Sequence, residues 1–241
     1  MNDLPKISIL IPTYNRRNFI PFVLRNLLIQ EYPHKLLQVV IHDDGETPLI
    51  ENYEDFSSAI KPIKLKYIRN KKRLSIGEKR HRLIQNANNN LVVFMDDDDL
   101  YEPTYISHSF ETLKKNNAGC VGCNKMIFIY PPYTKDDFYA LDCGDNKKLI
   151  HEATLMFTKS WYNKTSGFLH SNKAEGLGLT QSCKLKTIAL TNPLYNMTAV
   201  VHGKNTIDKE KFKDKDTKLD STNISFEDKT SEFIKAIVGY S

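Results

Sequence analysis

No stretch of this 241-residue sequence approaches the roughly 20 consecutive apolar residues that a membrane span requires. The first five residues also lack the basic start and the apolar stretch of a signal peptide. From these absences we expect a cytoplasmic protein with no membrane span. With only 10 glycines and 10 prolines the chain is not collagen-like, and 40% hydrophobic residues exclude disorder throughout. The length suits one domain better than two.

The four cysteines do not predict a zinc site. Cys120 and Cys123 are separated by two residues, but no second pair of Cys or His follows at a spacing typical of zinc ligands. The residues around them are small and apolar. We therefore expect buried thiols in a strand.

Positive charge is concentrated in one segment. Residues 61–82 contain ten Lys or Arg and a single acidic residue, Glu78, whereas the net charge of the whole chain is +5. A local cationic zone of this kind suits a phosphate-bearing partner, although a solvated face of the protein explains the charges equally well.

Short apolar strands alternate with amphipathic helices in the first half of the chain. The pattern predicts strands at 6–11, 37–41, 63–68 and 91–95, and helices at 18–30, 75–87 and 102–115. This order predicts an α/β fold with a mainly parallel, Rossmann-like sheet flanked by helices. Ligands bind at the carboxyl ends of such strands, so the loops after strands one, two and four should share one crevice. These loops contain Thr13-Tyr14-Asn15, Asp43-Asp44 and Asp96-Asp97-Asp98-Asp99.

The pattern weakens after about residue 118. We predict strands at 120–130, 153–157, 187–190 and 195–201, a helix at 174–184, and a loop at 131–145. The chain is polar from residue 204, but Phe226, Phe233 and Ile234 indicate a last amphipathic helix. The expected organisation is one domain over 1–203, divided near residue 117, and a polar tail over 204–241.

The four consecutive aspartates that follow the fourth strand call for a bound cation. Adjacent carboxylates repel each other by roughly a few kcal/mol, and a helix cap would explain one of them but not four. Carboxylate oxygens are ligands that Mg²⁺ and Mn²⁺ prefer. Residues i and i+2 of an extended chain point the same way, so Asp96 and Asp98 can act together.

Three segments in this order resemble family 2 glycosyltransferases of the GT-A fold: Ser8-Ile9-Leu10-Ile11-Pro12-Thr13-Tyr14-Asn15-Arg16, Val40-Ile41-His42-Asp43-Asp44-Gly45 and Val93-Phe94-Met95-Asp96-Asp97-Asp98-Asp99. The resemblance covers about residues 6–203. It implies a metal-dependent, inverting transferase that uses Mn²⁺ or Mg²⁺. The implied donor is a nucleotide-diphosphate sugar, expected to be UDP-linked, and the implied acceptor is a hydroxyl of a saccharide or another molecule. Residues 1–117 would be the nucleotide-sugar half of the GT-A catalytic domain, and 118–203 an irregular, mixed acceptor half.

The resemblance also implies roles for residues of the three loops. Thr13 and Tyr14 should line a uridine pocket, Asp44 should hydrogen-bond the base, and Asp96 should lie near the ribose. Asp98 is the expected metal ligand. Asp97 stands where the family usually has a small or variable residue. The nucleotide-binding residues expected from these loops are Pro12, Thr13, Tyr14, Asn15, Arg16, Asp44, Asp96 and Asp97.

Three later segments extend the resemblance. Lys71 to Arg80 opens a helix whose N-terminus and cations favour phosphate, so Arg73, Lys79 and Arg80 are expected at the diphosphate; a solvated helix face is the alternative. Glu175 is the expected general base, although it could be an ordinary acid in a first helical turn. Gly176 follows it where the family often has a second acid. His202, in Val-Val-His-Gly-Lys-Asn-Thr, is expected to bind the metal or the diphosphate.

Two other classes of protein remain compatible with the sequence. A sugar-nucleotide nucleotidyltransferase could share the fold and an acidic metal site, but it should have a Gly-rich loop after the first strand, where this chain has Pro12 to Arg16. A non-catalytic protein could bind nucleic acid through the basic 61–82 segment, but the aspartates would repel phosphate unless a metal intervened. We therefore expect no nucleic-acid partner. The sequence does not predict an oligomeric state.

Overall fold

A computed structural model describes residues 4–205, 209–213, 217–219, 224 and 226–239 of the chain. The strands are β1 (Ile7–Thr13), β2 (Leu37–Asp43), β3 (Lys64–Arg69), β4 (Leu91–Phe94), β5 (Leu100–Tyr101), β6 (Cys120–Gly122), β7 (Lys125–Ile129), β8 (Phe138–Asp142), β9 (Met156–Thr158), β10 (Ile188–Leu190) and β11 (Met197–Val200). The α-helices are α1 (Ile20–Leu28), α2 (Tyr53–Ala59), α3 (Ile76–Asn86), α4 (Tyr105–Lys115), α5 (Lys159–Tyr162), α6 (Leu177–Ser182) and α7 (Asp228–Val238).

The large sheet has seven strands in the order β10-β6-β9-β4-β1-β2-β3. β1 lies between β2 and β4 and is parallel to both, and β3 continues the parallel set beyond β2. Every residue of β1 and β2 is buried, as expected for apolar strands that are covered on both faces. β9 runs antiparallel between β4 and β6, so the sheet is mainly parallel, as the sequence predicts. The carboxyl ends of β1, β2 and β4 therefore meet at one edge.

A second sheet of four strands, β5-β11-β7-β8, lies in the second half of the chain. Its strand β8 corrects the prediction of a loop over residues 131–145. Phe138 and Ala140 are buried while Tyr139 and Leu141 are partly exposed, and the strand pairs antiparallel with β7. This pairing comes from a tertiary contact that the Pro- and Tyr-rich composition of the segment hides.

Two predicted boundaries also shift. The strand predicted at 153–157 begins only at Met156, because residues 152–154 form a 3-10 turn. The helix predicted from Glu102 begins at Tyr105, since Leu100 and Tyr101 pair with β11 and the Glu102 amide donates to the Asn196 carbonyl. The first shift leaves Glu152 and Ala153 in a turn just before β9.

The last helix, α7, is amphipathic as predicted and packs against α1. Ile234 is fully buried, and the ring centroids of Phe233 and Phe22 are 5.3 Å apart. Cys120 and Cys123 are buried free thiols, which confirms their predicted burial, but only Cys120 lies in a strand and Cys123 follows the end of β6. Within the described ranges, no helix is both long and apolar enough to span a bilayer.

Candidate active site

The loops after β1 and β4 border an open cavity of about 650 Å³ at the carboxyl edge of the large sheet, as the order of parallel strands predicts. The loop after β2 was expected there too but does not line this cavity, because Asp44 is buried against Lys79 and the Leu74 amide. Ten of the residues singled out from the sequence line it: Pro12, Thr13, Tyr14, Asn15, Arg16, Arg73, Lys79, Asp96, Asp97 and Asp98. Residues that are far apart in the sequence thus line the same cavity.

One end of the large cavity is aromatic and cationic. The Arg73 guanidinium lies 4.1 Å from the centroid of the Tyr14 ring, a distance typical of a cation–π contact. The Lys79 ammonium lies 5.7 Å from the same ring. Asn15, next to Tyr14, has a φ of +52°, a left-handed conformation that asparagine tolerates better than most residues. This turn ends β1 and faces Tyr14 toward the cavity.

Asp44 lies behind the cavity wall. Its side chain is fully buried, and both of its oxygens already accept hydrogen bonds, one from Lys79 Nζ at 2.5 Å and one from the Leu74 amide at 2.7 Å. Lys79 Nζ also donates to the Thr13 carbonyl at 2.8 Å. Burial lowers the pKa of Lys79, although the charge of Asp44 opposes the shift. Asp44 and Lys79 thus fasten β1, β2 and the start of α3 to one another.

Arg80 joins two parts of the site. Its Nη1 and Nη2 donate to the two oxygens of Asp96 at 3.1 and 3.0 Å, and its Nε donates to Glu175 Oε1 at 3.1 Å. The guanidinium also lies over the ring of Phe94, 4.7 Å from its centroid. Burial opposes the charge of Arg80, but the carboxylates of Asp96 and Glu175 outweigh it and raise the pKa. Arg80 is therefore a fixed cation that orients both acids.

Asp98 lies between a cation and an imidazole. Its Oδ2 is 3.1 Å from Arg16 Nη2 and 3.2 Å from His202 Nε2, and Asn205 Nδ2 lies 3.4 Å away. Burial would raise the pKa of Asp98, but the hydrogen bond from His202 and the charge of Arg16 lower it overall. Burial lowers the pKa of His202. Asp98 is thus a carboxylate beside a neutral imidazole.

The two flanking aspartates behave differently. Burial and the neighbouring charge of Asp98 raise the pKa of Asp97 to about 8. Burial likewise raises the pKa of Asp99 to about 7, although Lys209 opposes the shift. Asp99 accepts a hydrogen bond from the Val200 amide at 3.1 Å, which ties the aspartate loop to β11. The protein thus shifts the pKa of Asp98 in one direction and the pKa values of Asp97 and Asp99 in the other.

A smaller cavity of about 150 Å³ adjoins the large one, and both are lined by Asp96 and Asp98. Its far wall contains Glu175 and Glu152. Ala174, just before Glu175, has a φ of +52°, a strained conformation for a residue with a Cβ that turns the chain sharply next to the acid.

Sequence reasoning missed three residues of this region: Glu152, Lys209 and Asn205. Glu152 precedes β9 in a segment without periodicity, and Lys209 is one lysine in a polar run, so neither carries a local signal. Asn205 could have been found, because it belongs to the same short segment as His202.

The basic segment 61–82 does not form one surface. Lys79 and Arg80 are buried beside carboxylates, Lys66 donates to the carbonyl of Asn86, and others such as Lys61 and Lys72 are exposed. Some of the basic side chains of this segment thus belong to the site, and others are exposed to solvent.

Residues 8–166 match the family described as Glycosyl transferase family 2. The match spans β1 to β4 and includes the loops after β1 and β4 that border the large cavity. With more than half of its length covered, the chain belongs to Glycosyl transferase family 2.

Relatives found by sequence agree with this assignment. An uncharacterized glycosyltransferase of Rickettsia conorii is 33% identical over 135 residues, which are 56% of this chain and 20% of the relative. A processive diacylglycerol beta-glycosyltransferase of Mycoplasma pneumoniae is 25% identical over 139 residues, 57% of this chain and 39% of that protein. The chain therefore spans only a fraction of these relatives' length.

Two solved structures share the fold, which confirms the GT-A prediction. One is a mannosyltransferase from Pyrobaculum calidifontis in complex with GDP-Man and Mn²⁺, with a TM-score of 0.65 and 18% identity over 88% of this chain and 59% of that chain. The other is S. aureus TarS 1-349 in complex with UDP, with a TM-score of 0.66 and 18% identity over 82% of this chain and 61% of that chain.

Proposed function

We propose that this glycosyltransferase moves a sugar from a nucleotide-diphosphate sugar, with UDP as the first candidate carrier, to an acceptor hydroxyl, with inversion and with the help of a divalent cation. The observation that carries the proposal is the large cavity. It has an aromatic and cationic end at Tyr14 and Arg73 and an acidic end at Asp96 to Asp98. Structures of the same fold that bind GDP-Man or UDP support a nucleotide as the occupant.

Polar atoms without partners support a charged occupant. In the described part of the chain, Arg16 Nη1 and Asp97 Oδ2 are buried and have no hydrogen-bond partner. A buried polar atom left in this state costs about 1–3 kcal/mol, which a bound ligand can recover. An arginine nitrogen at the cavity suits a phosphate oxygen, and a carboxylate oxygen suits a hydroxyl donor or a cation.

The residues near Asp98 fit Mn²⁺ or Mg²⁺ when part of the coordination comes from the donor. Over the described ranges, no group of three or more His, Cys, Asp or Glu side chains is arranged to hold a metal ion. Asp98 and His202 would supply two ligands, and Mg²⁺ typically takes one or two carboxylates together with substrate phosphates and waters. A cation at Asp98 would compete with Arg16 for the same oxygen. When bound, the cation would neutralise charge on the departing diphosphate.

The two cavities suit a direct displacement. A donor in the large cavity would have its sugar at the junction formed by Asp96 and Asp98, while an acceptor would enter from the small cavity. Attack from the side opposite the leaving diphosphate inverts the anomeric carbon. A carboxylate on the far wall of the small cavity, Glu175 or Glu152, would accept the proton of the attacking hydroxyl.

Calorimetric titration with UDP-, GDP- and dTDP-sugars, each with and without Mn²⁺, tests the proposal. We expect one saturable site that is strengthened by Mn²⁺ and weakened by Tyr14→Ala. Tyr53→Ala, an exposed tyrosine on α2, is the matched control and should bind like the wild type. If no nucleotide sugar binds, the proposed function is wrong. If a nucleotide sugar binds equally well with and without Mn²⁺, only the proposed role of the cation is wrong.

A further inference from the structure

The small cavity holds two glutamates in different electrostatic situations. Glu175 Oε1 accepts the Nε hydrogen bond of Arg80, whose other nitrogens hold Asp96. Glu152 has no such cation: among the described residues, no Lys, Arg or His nitrogen lies within 4.0 Å of its carboxylate. Glu175 is therefore paired with Arg80, whereas the Glu152 carboxylate has no such ion pair and can accept a proton from a ligand.

The carboxylate of Glu152 occupies the space beside Gly176 where a side chain would otherwise stand. A Cβ built on Gly176 would lie 2.6 Å from Glu152 Oε1 and 2.8 Å from its Cγ. The Gly176 amide donates to the same Oε1 at 3.1 Å. Because residue 176 is a glycine, the space next to Glu175 is open, and the carboxylate of Glu152 fills it.

The surroundings of Glu152 also suit a group that takes up a proton near neutral pH. Burial is the main cause that raises the pKa of Glu152 to about 7, and the charge of Glu175 adds to it, while Arg80 acts in the opposite direction. A general base works best when its pKa lies near the working pH. Glu152 lines the small cavity together with Asp96 and Asp98, which also border the space proposed for the donor.

We propose that Glu152, rather than Glu175, is the general base of the transfer reaction; this inference rests on the proposed function. The Glu152 carboxylate takes the proton from the acceptor hydroxyl, or from water when water is the acceptor. The freed oxygen forms the new bond to the anomeric carbon. The bond from that carbon to the diphosphate oxygen breaks, and its electron pair leaves with the nucleoside diphosphate. Glu175 acts as a positioning residue for Arg80 and, through it, for Asp96.

Exchanging the two acids tests the assignment. The assay follows release of UDP or GDP from UDP-glucose, UDP-GlcNAc and GDP-mannose, with water as the acceptor, and calorimetry measures binding of the same donors. We expect Glu152→Gln to lower turnover by about 10²- to 10⁴-fold with donor affinity changed less than about threefold, as for loss of a general base. Glu175→Gln keeps an oxygen for Arg80 and should lower turnover about tenfold or less. Glu111→Gln, an exposed site on α4, is the charge control.

A rescue variant separates a base from a merely structural acid. Glu152→Ala vacates the space beside residue 176, and adding Gly176→Asp returns a carboxylate to it. We expect the double variant to regain at least about tenfold of the turnover lost in Glu152→Ala. Gly176→Asp alone should be impaired, because its side chain would collide with Glu152.

Three results would overturn the inference, and one of them also overturns the function. If turnover survives in Glu152→Gln but is lost in Glu175→Gln, Glu175 and not Glu152 is the general base. A second measurement needs no turnover: in carbon-13 NMR of the glutamate carboxyls, the signal missing in Glu152→Gln should titrate near pH 7, and titration near the ordinary glutamate pKa of about 4.3 would contradict the assignment. Failure of the wild type to bind any of the three donors would refute the proposed function together with the inference.

Discussion

Replacing Arg80 with methionine removes the guanidinium that contacts both Asp96 and Glu175, while it keeps most of the side-chain volume. The two acids then remain inside the site without that cation. Removing one partner of a buried ion pair typically costs about 3–5 kcal/mol, because the remaining charge is left uncompensated. The Glu175 side chain is only 8% exposed, but that of Asp96 is 23% exposed, so water can screen part of the loss. We expect Arg80→Met to lower the free energy of unfolding by about 3 kcal/mol.

The loss of stability in Arg80→Met should depend on pH. As the pH falls from 7 to 5, the stranded carboxylates of the variant can take up protons in the folded state, which removes the uncompensated charge. The stability deficit relative to the wild type should therefore shrink toward acid pH. A deficit caused by poor packing of methionine would stay constant.

Urea unfolding followed by tryptophan fluorescence measures this deficit. Trp161 is the only tryptophan of the chain and is buried in the core near Phe157, so it reports on global unfolding. Arg82→Met is the matched control, because Arg82 is exposed on the same helix, and it should stay within about 0.5 kcal/mol of the wild type. An Arg80→Met deficit below about 1 kcal/mol, or one independent of pH, would refute the central role given to Arg80.

Three further perturbations follow from the structure. Asp98→Asn should reduce the affinity for UDP measured calorimetrically with Mn²⁺ to its metal-free value, whereas Asp145→Asn at an exposed position should not; equal Mn²⁺ enhancement in both would count against Asp98 as a ligand. Gly77→Ala should destabilise the fold by about 1–3 kcal/mol in urea, since its Cβ would lie 1.7 Å from a backbone oxygen, while Gly203→Ala, with open space around it, should be neutral. Burial lowers the pKa of His151 from 6.5 to about 3, so the neutral imidazole contributes fully to stability above pH 6.5, and this contribution is lost as the pH falls toward 3. Between pH 7 and pH 5 the free energy of unfolding of the wild type should therefore fall by up to about 2 kcal/mol more than that of His151→Gln. Parallel curves of unfolding free energy against pH for the two proteins would contradict this.

The sequence predicts the sheet and the position of the site well, because both depend on local pattern. Continuous apolar runs such as residues 91–95 identify buried parallel strands, and the polar groups that follow such strands must then meet at one edge. The cap of α3 is equally local: Ser75 and Glu78 form the two reciprocal hydrogen bonds of a capping box. These features need no knowledge of distant contacts.

The pairing of charges inside the site could not be predicted in this way. The sequence predicts Arg80 and Lys79 as cations for a diphosphate, but whether a cation faces a ligand or a neighbouring acid depends on tertiary packing. In the structure Arg80 holds Asp96 and Glu175, and Lys79 holds Asp44. Glu152 gave no signal at all, since its place beside Gly176 follows from a contact between residues 24 positions apart.

The most direct test of the account is the position of a bound nucleotide. A crystal of the protein soaked with UDP and Mn²⁺ should show the base at the Tyr14 and Arg73 end of the large cavity, and the diphosphate and cation beside Asp98 and His202. Nucleotide density at any other place on the protein, with this cavity unchanged, would contradict the claim that the loops after β1 and β4 form the donor site.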